Sequence, residues 1–215
     1  MSRKRLTIWS IGLVSVFVAG YTWVFRPWQQ HWGATDTEIA RFIDGDDLVS
    51  APLEVTTRAI TIRAQPGHIW PWLAQMGYQR GGLYSYDGLD RLFGVLDRPS
   101  ADTLMPAFQS LKAGDTIPIG KGPGWPVALA RPNELLLLDI RQQGAHVTWA
   151  FALYPASASE TRLVMRVRAQ LPRTWKTPFL VAILDPAEFL MVRRQLIGLR
   201  DRAERLARTK RPSGR

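Results

Sequence analysis

The most constraining feature of the sequence is an apolar run near its N-terminus. Residues 6–25 form a stretch of 20 residues without a charged side chain, directly after the basic triplet at residues 3–5. A helix needs roughly 20 apolar residues to cross a hydrocarbon core about 30 Å thick. Trp9 lies near one end of the run and Trp23 near the other, which is typical of helices with aromatic rings in both headgroup layers. The run therefore predicts a single transmembrane helix within an N-terminal anchor, residues 1–26.

A cleaved signal peptide is the alternative interpretation of the same run. Its cleavage site needs small residues at alternate positions, for which residues 18–20 are a weak match, and the apolar run continues beyond them. An acylated lipoprotein is excluded because the chain contains no cysteine. Three basic residues precede the run and Arg26 alone follows it closely. The positive-inside rule then predicts a cytoplasmic N-terminus, a domain on the extracytoplasmic side, and a membrane as one partner.

The net charge of +10 is unevenly distributed along the chain. Residues 1–26 and residues 193–215 carry the excess of basic side chains, and the residues between them are close to neutral. The basic tail, residues 209–215, either contacts anionic lipid or is simply solvated. Nucleic acid is not a predicted partner, because the near-neutral middle of the chain has no basic face and no recognised binding module.

The chain after the apolar run is long enough for one domain with a sizeable core. Residues 27–52 are interpreted as a juxtamembrane connector with a short helix at residues 36–42, for which Thr35 and Glu38 form a capping box. Residues 53–208 are predicted to form the domain itself. Without cysteine, the chain has no disulfide, no thiolate metal site and no thiol nucleophile.

Hydrophobic periodicity divides this domain into strands and helices. A segment rich in Val, Thr and Ile predicts a strand at residues 54–64. Apolar residues at helical spacing predict a helix that begins near His68, because Pro71 fits only in a first helical turn, and that ends at Gly77. A second short helix is predicted at residues 86–93, before a loop with one helical turn at residues 97–111. Five further strands are predicted at residues 116–119, 125–130, 135–141, 147–154 and 161–171.

The last predicted element is a long amphipathic helix. Pro178 is a looser candidate for its start, and the preferred start has Asp185 as N-cap and Pro186 at the first helical position. Glu188 is expected to stabilise the same helix end. Apolar residues then recur at spacings of three and four as far as Leu206. Since the preceding strands alternate apolar and polar residues, as antiparallel strands do, the predicted fold class is α+β. A curved antiparallel sheet wraps on the long C-terminal helix, and two short helices close one end around a cavity.

Four segments of the chain resemble one protein family. They are Trp70-Pro-Trp-Leu-Ala-Gln-Met-Gly77, Gly81-Gly-Leu-Tyr-Ser-Tyr-Asp87, Leu111-Lys-Ala-Gly-Asp115 and Asp185-Pro-Ala-Glu-Phe-Leu-Met-Val-Arg-Arg194. With the order of elements, they make residues 32–208 similar to the START-like SRPBCC superfamily, in its polyketide cyclase/dehydrase and lipid transport branch. The resemblance implies a helix-grip fold whose cavity holds a hydrophobic small molecule or lipid. None of the segments is a catalytic signature, and the branch often has Glu where this chain has Asp185.

Aromatic and methionine side chains are the candidates for lining this cavity, because ligand cavities are mostly apolar with a few convergent polar groups. Each of them is alternatively a core residue. The candidates are Trp72, Met76, Tyr84, Tyr86, Trp125, Trp149, Phe151, Met165, Phe189 and Met191. Trp149 and Phe151 are the strongest of these, since they occupy the middle of an alternating strand.

The densest polar cluster consists of Tyr84, Tyr86, Asp87, Asp90 and Arg91. Such groups can supply the positioned acid or base of a cyclase or dehydratase that acts on a polyketide-like substrate. Asp87 is also a candidate ligand contact. In the alternative interpretation Asp87 caps the short helix, whereas Asp90 and Arg91 are solvated.

Other motifs that carry chemistry are not recognisable in the sequence. Arg80 either pairs with a ligand carboxylate or phosphate or lies on the surface, and the three histidines are not spaced for a metal site. We expect no catalytic residues, no metal and no cofactor. The predicted function is a membrane-anchored protein that binds a hydrophobic small molecule or lipid. The alternatives are the cyclase or dehydratase and an interaction protein whose cavity is packed shut; the oligomeric state is not predicted.

Overall fold

The computed structural model describes residues 19–175 and 177–209. The helices are α1 (Arg26–Gln30), α2 (Asp36–Ala40), α3 (Pro66–Ala74), α4 (Asp87–Leu92) and α5 (Thr177–Thr209). The strands are β1 (Glu54–Ile62), β2 (Thr116–Ile117), β3 (Trp125–Arg131), β4 (Leu135–Gln142), β5 (Ala145–Pro155) and β6 (Thr161–Gln170). A π-helical turn, Tyr21–Phe25, precedes α1, and 3-10 turns lie at Asp46–Leu48 and Pro106–Phe108.

The six strands form one antiparallel sheet in the order β1-β6-β5-β4-β3-β2. In its centre Trp149 of β5 is opposite Val167 of β6, and Phe151 is opposite Met165. A shift in register between Val127 and Leu129 interrupts the pairing of β3 with β4, as β-bulges do where strands bend. The predicted antiparallel sheet is confirmed.

The long helix α5 packs on one face of this sheet. Its predicted apolar stripe is confirmed, since Val192, Leu196, Leu199 and Ala203 are buried in the same cluster as the inward side chains of the sheet. Helix α3 belongs to this cluster through Ile69, Trp72 and Leu73. The α+β arrangement of a six-stranded antiparallel sheet and a long C-terminal helix fits a helix-grip fold.

The segment that contains α2 covers part of the opposite face of the sheet. Ile43 is buried there in the same hydrophobic cluster as Ala150, Ala152 and Val164. The predicted capping box is confirmed: the Thr35 hydroxyl accepts a hydrogen bond from the Glu38 amide at 3.2 Å, and the Glu38 carboxylate accepts one from the Thr35 amide at 2.9 Å. The predicted connector, residues 27–52, thus also adds a second layer to the fold.

Two predicted helix starts are wrong, and proline is the reason in both cases. Helix α5 begins at Thr177 with Pro178 in its first turn, so Pro186 lies inside the helix. Helix α3 begins at Pro66 rather than near His68, which places Pro71 in its interior. In both helices the earlier proline occupies the first turn, where a missing N–H is not needed, and tertiary packing maintains the helix across the later one.

The predicted single-pass topology is contradicted. Within residues 19–175 and 177–209, no helix combines the length and the apolar character needed to cross a membrane. The end of the apolar run lies against the domain instead, because the Phe25 ring is 6.4 Å from the Phe189 ring and Arg26 pairs with Glu54 at 2.6 Å. Residues 1–18, which contain most of the predicted anchor, and the tail from residue 210 lie outside the described residues.

Candidate ligand-binding cavity

A cavity of about 610 Å³ lies between the sheet and the middle of α5. Small-molecule sites commonly have volumes of about 300–1,000 Å³. Most of the cavity wall is apolar. It comes from β3 to β6, from α4 and the loops that flank it, and from residues 184–195 of α5. Side chains therefore leave this space unfilled, which argues against the alternative of a cavity that is packed shut.

Trp149 is the central side chain of the sheet wall. Its ring centroid lies 4.8 Å from that of Trp125 and 5.1 Å from that of Phe151, which fixes the indole in place. Alternation along β5 turns Trp149 towards α5 and turns Ala150 to the opposite face. The Trp149 indole N–H is buried and has no hydrogen-bond acceptor among the described residues.

Helix α5 presents Glu188, Met191 and Gln195 to the cavity, because residues three or four apart share one helix face. The loop before α4 is attached to this wall, since the Ser85 hydroxyl donates to the Met191 carbonyl oxygen at 3.0 Å. Gln195 is buried, and its amide nitrogen lies 3.7 Å from the Met76 sulfur. The Gln195 amide oxygen has no donor within the part of the chain that the structure describes.

Asp90 is the unusual group of the site. Its side chain lines the cavity and is 0% exposed, so the interpretation of a solvated Asp90 is wrong. Neither carboxylate oxygen has a hydrogen-bond partner among the described residues. Burial, together with the neighbouring charge of Asp87, raises the pKa of Asp90 to about 6. The cavity wall thus contains an acid whose ionised form has no compensating donor or charge among the described residues.

Glu188 is a second carboxylate in the wall, with a different environment. One of its oxygens accepts a hydrogen bond at 2.7 Å from the guanidinium of Arg58, which is fully buried. Its other oxygen, Oε2, is buried and has no partner among the described residues. Arg58 also donates to the Gln29 carbonyl oxygen at 2.8 Å. The expectation that Asp185 and Glu188 stabilise a helix N-terminus is wrong, because Asp185 accepts from Arg26 at 2.8 Å and both residues lie well inside α5.

The structure places three of the predicted cavity residues, Trp125, Trp149 and Met191, on the cavity wall. Five others are buried in the main core: Trp72, Met76, Tyr84, Phe151 and Met165. Phe189 packs among other aromatic rings at a different position, and its ring centroid is 5.3 Å from that of Trp28.

The predicted polar cluster is dispersed in the structure. The Tyr84 hydroxyl donates to the Trp72 carbonyl oxygen at 3.0 Å, and burial raises the pKa of Tyr84. Tyr86 is exposed, Asp87 accepts a hydrogen bond from Ser100 at 2.6 Å rather than capping α4, and the exposed Arg91 donates to the Asp87 carbonyl oxygen. Asp90 alone among these five residues lines the cavity.

Arg80 has a structural role at the end of α3. Its guanidinium donates to the Ala74 carbonyl oxygen at 2.7 Å and lies 4.7 Å from the Phe108 ring centroid. Burial lowers the pKa of Arg80. The residue is not part of the cavity wall, so the predicted pairing with a ligand anion has no support from its position.

Sequence reasoning did not identify Ser85, Glu188 and Gln195 as cavity residues. A signal for Gln195 exists in the sequence, since it is a polar residue on the same helical stripe as Val192 and Leu199. A buried polar side chain inside an apolar stripe is either hydrogen-bonded within the protein or available to a ligand.

A larger apolar groove of about 1060 Å³ lies between residues 20–26 and residues 181–186. Its charged side chains satisfy each other, because Arg26 pairs with both Glu54 and Asp185. Among the described residues, no side chain that lines the groove has a buried polar atom without a partner, in contrast to the cavity between the sheet and α5. Across the described residues, no three His, Asp or Glu side chains come together in a way that suits a metal ion.

No protein-family model matches the sequence, and no curated protein matches it. Among solved structures, protein MLL2253 from Mesorhizobium loti has 15% sequence identity and a TM-score of 0.39, over 74% of this chain and 100% of that one. Norcoclaurine synthase from Thalictrum flavum has 14% identity and a TM-score of 0.41, over 77% of this chain and 93% of that one. DynU16, from the dynemicin biosynthetic locus, has 15% identity and a TM-score of 0.41, over 69% of this chain and 48% of that one. Likenesses of this size establish neither a family nor an activity.

Proposed function

We propose that the protein binds a hydrophobic small molecule, lipids included, in the cavity between the sheet and α5. The observation that carries the proposal is the combination of an open apolar space of about 610 Å³ with buried polar atoms that have no partner within the described residues. Buried polar groups in folded proteins are nearly always hydrogen-bonded. A ligand that fills the space and meets these atoms removes the cost of leaving them unpaired.

The proposal is tested by identifying what the protein retains on purification. The full chain is purified without added ligand and extracted with organic solvent, and the extract is analysed by mass spectrometry. We expect a hydrophobic molecule in a stoichiometric amount. Titration with Nile red, a neutral apolar dye, measures the same cavity by fluorescence in protein stripped of that molecule.

A matched pair of substitutions shows whether binding occurs at this site. Ala187 and Leu190 are both exposed residues of α5, but Ala187 borders the cavity at its exposed edge, whereas Leu190 lies outside the cavity wall. Ala187→Trp adds an indole at the edge of the cavity, so we expect it to reduce the retained ligand and the dye signal at least about tenfold, whereas Leu190→Trp retains both. Equal binding by the two folded variants, or no binding by the parent protein, contradicts the proposal.

A cyclase or dehydratase acting on a polyketide-like substrate is the second candidate function, and Asp90 is the observation that favours it. A cavity acid with a pKa of about 6 can give or accept a proton near neutral pH. The test incubates the extracted molecule, or a polyketide-like analogue, with the parent protein and with Asp90→Asn. At a saturating substrate concentration, an enzyme loses turnover in the variant, whereas a binding protein shows no turnover in either case.

A further inference from the structure

The unpartnered atoms of the cavity wall differ in kind. Four of them are oxygens that accept hydrogen bonds: both carboxylate oxygens of Asp90, Oε2 of Glu188 and the amide oxygen of Gln195. The sole donor among the unpartnered side-chain atoms of the described wall is the indole N–H of Trp149. A ligand that matches this wall must therefore bring more donors than acceptors to the side formed by α4 and α5.

The charged residues of the cavity wall favour the same kind of ligand. Asp90 and Glu188 are its acidic residues, and no Lys or Arg is among the described residues that line it. Arg58 compensates Glu188 from behind through its contact at 2.7 Å, but no basic side chain pairs with Asp90 among the described residues. Taking an ionised carboxylate out of water is costly unless an opposite charge accompanies it.

We propose that the ligand is a hydrophobic amine, bound as its ammonium ion with the carboxylate of Asp90 as counter-ion. This inference rests on the proposed function, because it names the chemical class that the same cavity selects. A primary ammonium group carries three N–H donors, which suits the acceptor-rich wall, and its positive charge compensates Asp90.

Other polar ends match the site less well. A carboxylate or phosphate adds negative charge beside Asp90 and Glu188, and like charges in an apolar environment repel strongly. A hydroxyl group supplies one donor and leaves the charge of Asp90 uncompensated. The rest of the ligand lies against the rings of Trp125 and Trp149. The buried N–H of Trp149 has no acceptor among the described residues.

Three probes with the same apolar chain test the polar end alone: 1-decylamine, 1-decanol and decanoate. Their affinities for the full chain, stripped of retained ligand, are measured by isothermal titration calorimetry at pH 7.5, with every probe below its aggregation concentration. We expect the amine to bind at least about tenfold more tightly than the alcohol, and decanoate to bind most weakly.

Two substitutions assign the preference to one residue. Asp90→Asn keeps the shape of the side chain and removes its charge, so we expect the affinity for 1-decylamine to fall about tenfold while that for 1-decanol changes less than about threefold. Asp47→Asn makes the same change at an exposed residue outside the cavity wall and should leave all three affinities unchanged. Retained binding of 1-decanol shows that the Asp90 variant is folded.

The outcomes separate this inference from the proposed function. If the parent protein binds 1-decanol or decanoate as tightly as 1-decylamine, the amine inference is wrong and the cavity remains a binding site. If Asp90→Asn weakens all three probes equally, Asp90 maintains the cavity and is not a counter-ion, which also overturns the inference. If no probe binds and Nile red is not affected by Ala187→Trp, the proposed function itself fails.

Discussion

Gly198 of α5 lies so close to the backbone of Tyr84 that a Cβ atom added to the glycine would be 2.1 Å from the Tyr84 carbonyl oxygen. Tyr84 has a φ of 60°, a left-handed conformation that is uncommon for a residue with a side chain. Its amide donates to the Ser100 hydroxyl at 2.9 Å, which holds this conformation in place. The segment that leads into α4, and with it Asp90, is therefore positioned by a contact that only glycine permits.

We predict that Gly198→Ala lowers the free energy of unfolding by roughly 2 kcal/mol. Alanine is the better helix former by about 1 kcal/mol, but a backbone contact of 2.1 Å must be relieved by moving α5 or the Tyr84 segment, and overpacking of this kind costs about 1–3 kcal/mol or more. Urea denaturation followed by circular dichroism measures the difference.

Gly88 is the matched control for this substitution. It lies in α4, and a Cβ atom added there would meet nothing within 4 Å. Gly88→Ala should therefore stabilise the protein by up to about 1 kcal/mol through helix propensity alone. Equal effects of the two alanines would show that the contact between Gly198 and Tyr84 has no energetic consequence.

The main elements of the fold were predictable because their signals are local. The alternation of β5 and β6 and the stripe from Val192 to Ala203 both follow directly from the spacing of apolar residues. The starts of α3 and α5 were not predictable in this way, since each helix has two prolines and the sequence does not show which one tertiary packing tolerates in the interior. The cover that α2 forms on the sheet depends on contacts between residues far apart in the chain.

The candidate site was less predictable than the fold for the same reason. Trp149 could be identified from strand alternation, but Phe151 on the same strand face belongs to the packed core. Whether Asp90 is solvated or buried depends on how α4 packs against α5. A helix of six residues is too short for the spacing of its polar residues to show which side is buried. Glu188 was misinterpreted because its partner Arg58 is distant in the chain and its pairing is visible only in three dimensions.

Arg166 gives a prediction about the segment that covers the outer face of the sheet. All five N–H groups of its guanidinium group have partners: Thr57, Asp46 and the carbonyl oxygens of residues 38, 39 and 41. Lysine has a single nitrogen and cannot reproduce this arrangement. We expect Arg166→Lys to reduce the free energy of unfolding by roughly 3 kcal/mol, measured by urea denaturation.

Arg168 provides the comparison for this prediction, because it lies on the same face of β6. Within the described part of the chain, its guanidinium donates hydrogen bonds only to the Val49 carbonyl oxygen, at 3.1 and 3.4 Å. Arg168→Lys should change stability by less than about 1 kcal/mol. If the two lysine variants are equally stable, the hydrogen bonds of Arg166 do not hold the covering segment.

Glu188 and Glu160 test how far the burial of a partner determines the strength of an ion pair. Their side chains are similarly exposed, at 41% and 40%, but Arg58 is 0% exposed whereas Arg63 is 83% exposed. Glu188→Gln leaves a buried guanidinium without a counter-charge, so we expect a loss of roughly 2 kcal/mol by thermal or urea unfolding. Glu160→Gln should stay within about 0.5 kcal/mol, since exposed pairs contribute little; a larger effect at Glu160 would contradict this account.

The last prediction concerns the pH dependence of stability that Asp90 causes. Its pKa in the folded protein is about 6, against an ordinary value of 3.8 that applies after unfolding. The folded state therefore binds the proton more tightly, so the contribution of Asp90 to stability is complete below about pH 4 and is lost as the pH rises through 6. The difference between the two pKa values corresponds to roughly 3 kcal/mol.

Asp90→Asn isolates this contribution, because asparagine does not titrate and the other acids near the site, Asp87 and Glu188, are unchanged. We expect the variant and the parent protein to have similar melting temperatures at pH 4, and the variant to be more stable at pH 7.5 because it has no buried charge to compensate. Asp47→Asn, at an exposed position, should have the same melting temperature as the parent protein at every pH.

A stability difference between Asp90→Asn and the parent that is the same at pH 4 and pH 7.5 would mean that Asp90 is not an uncompensated acid. When both proteins are saturated with a hydrophobic amine at pH 7.5, the variant should no longer have the higher melting temperature. The ammonium ion then supplies the parent protein with the positive charge that its cavity wall lacks.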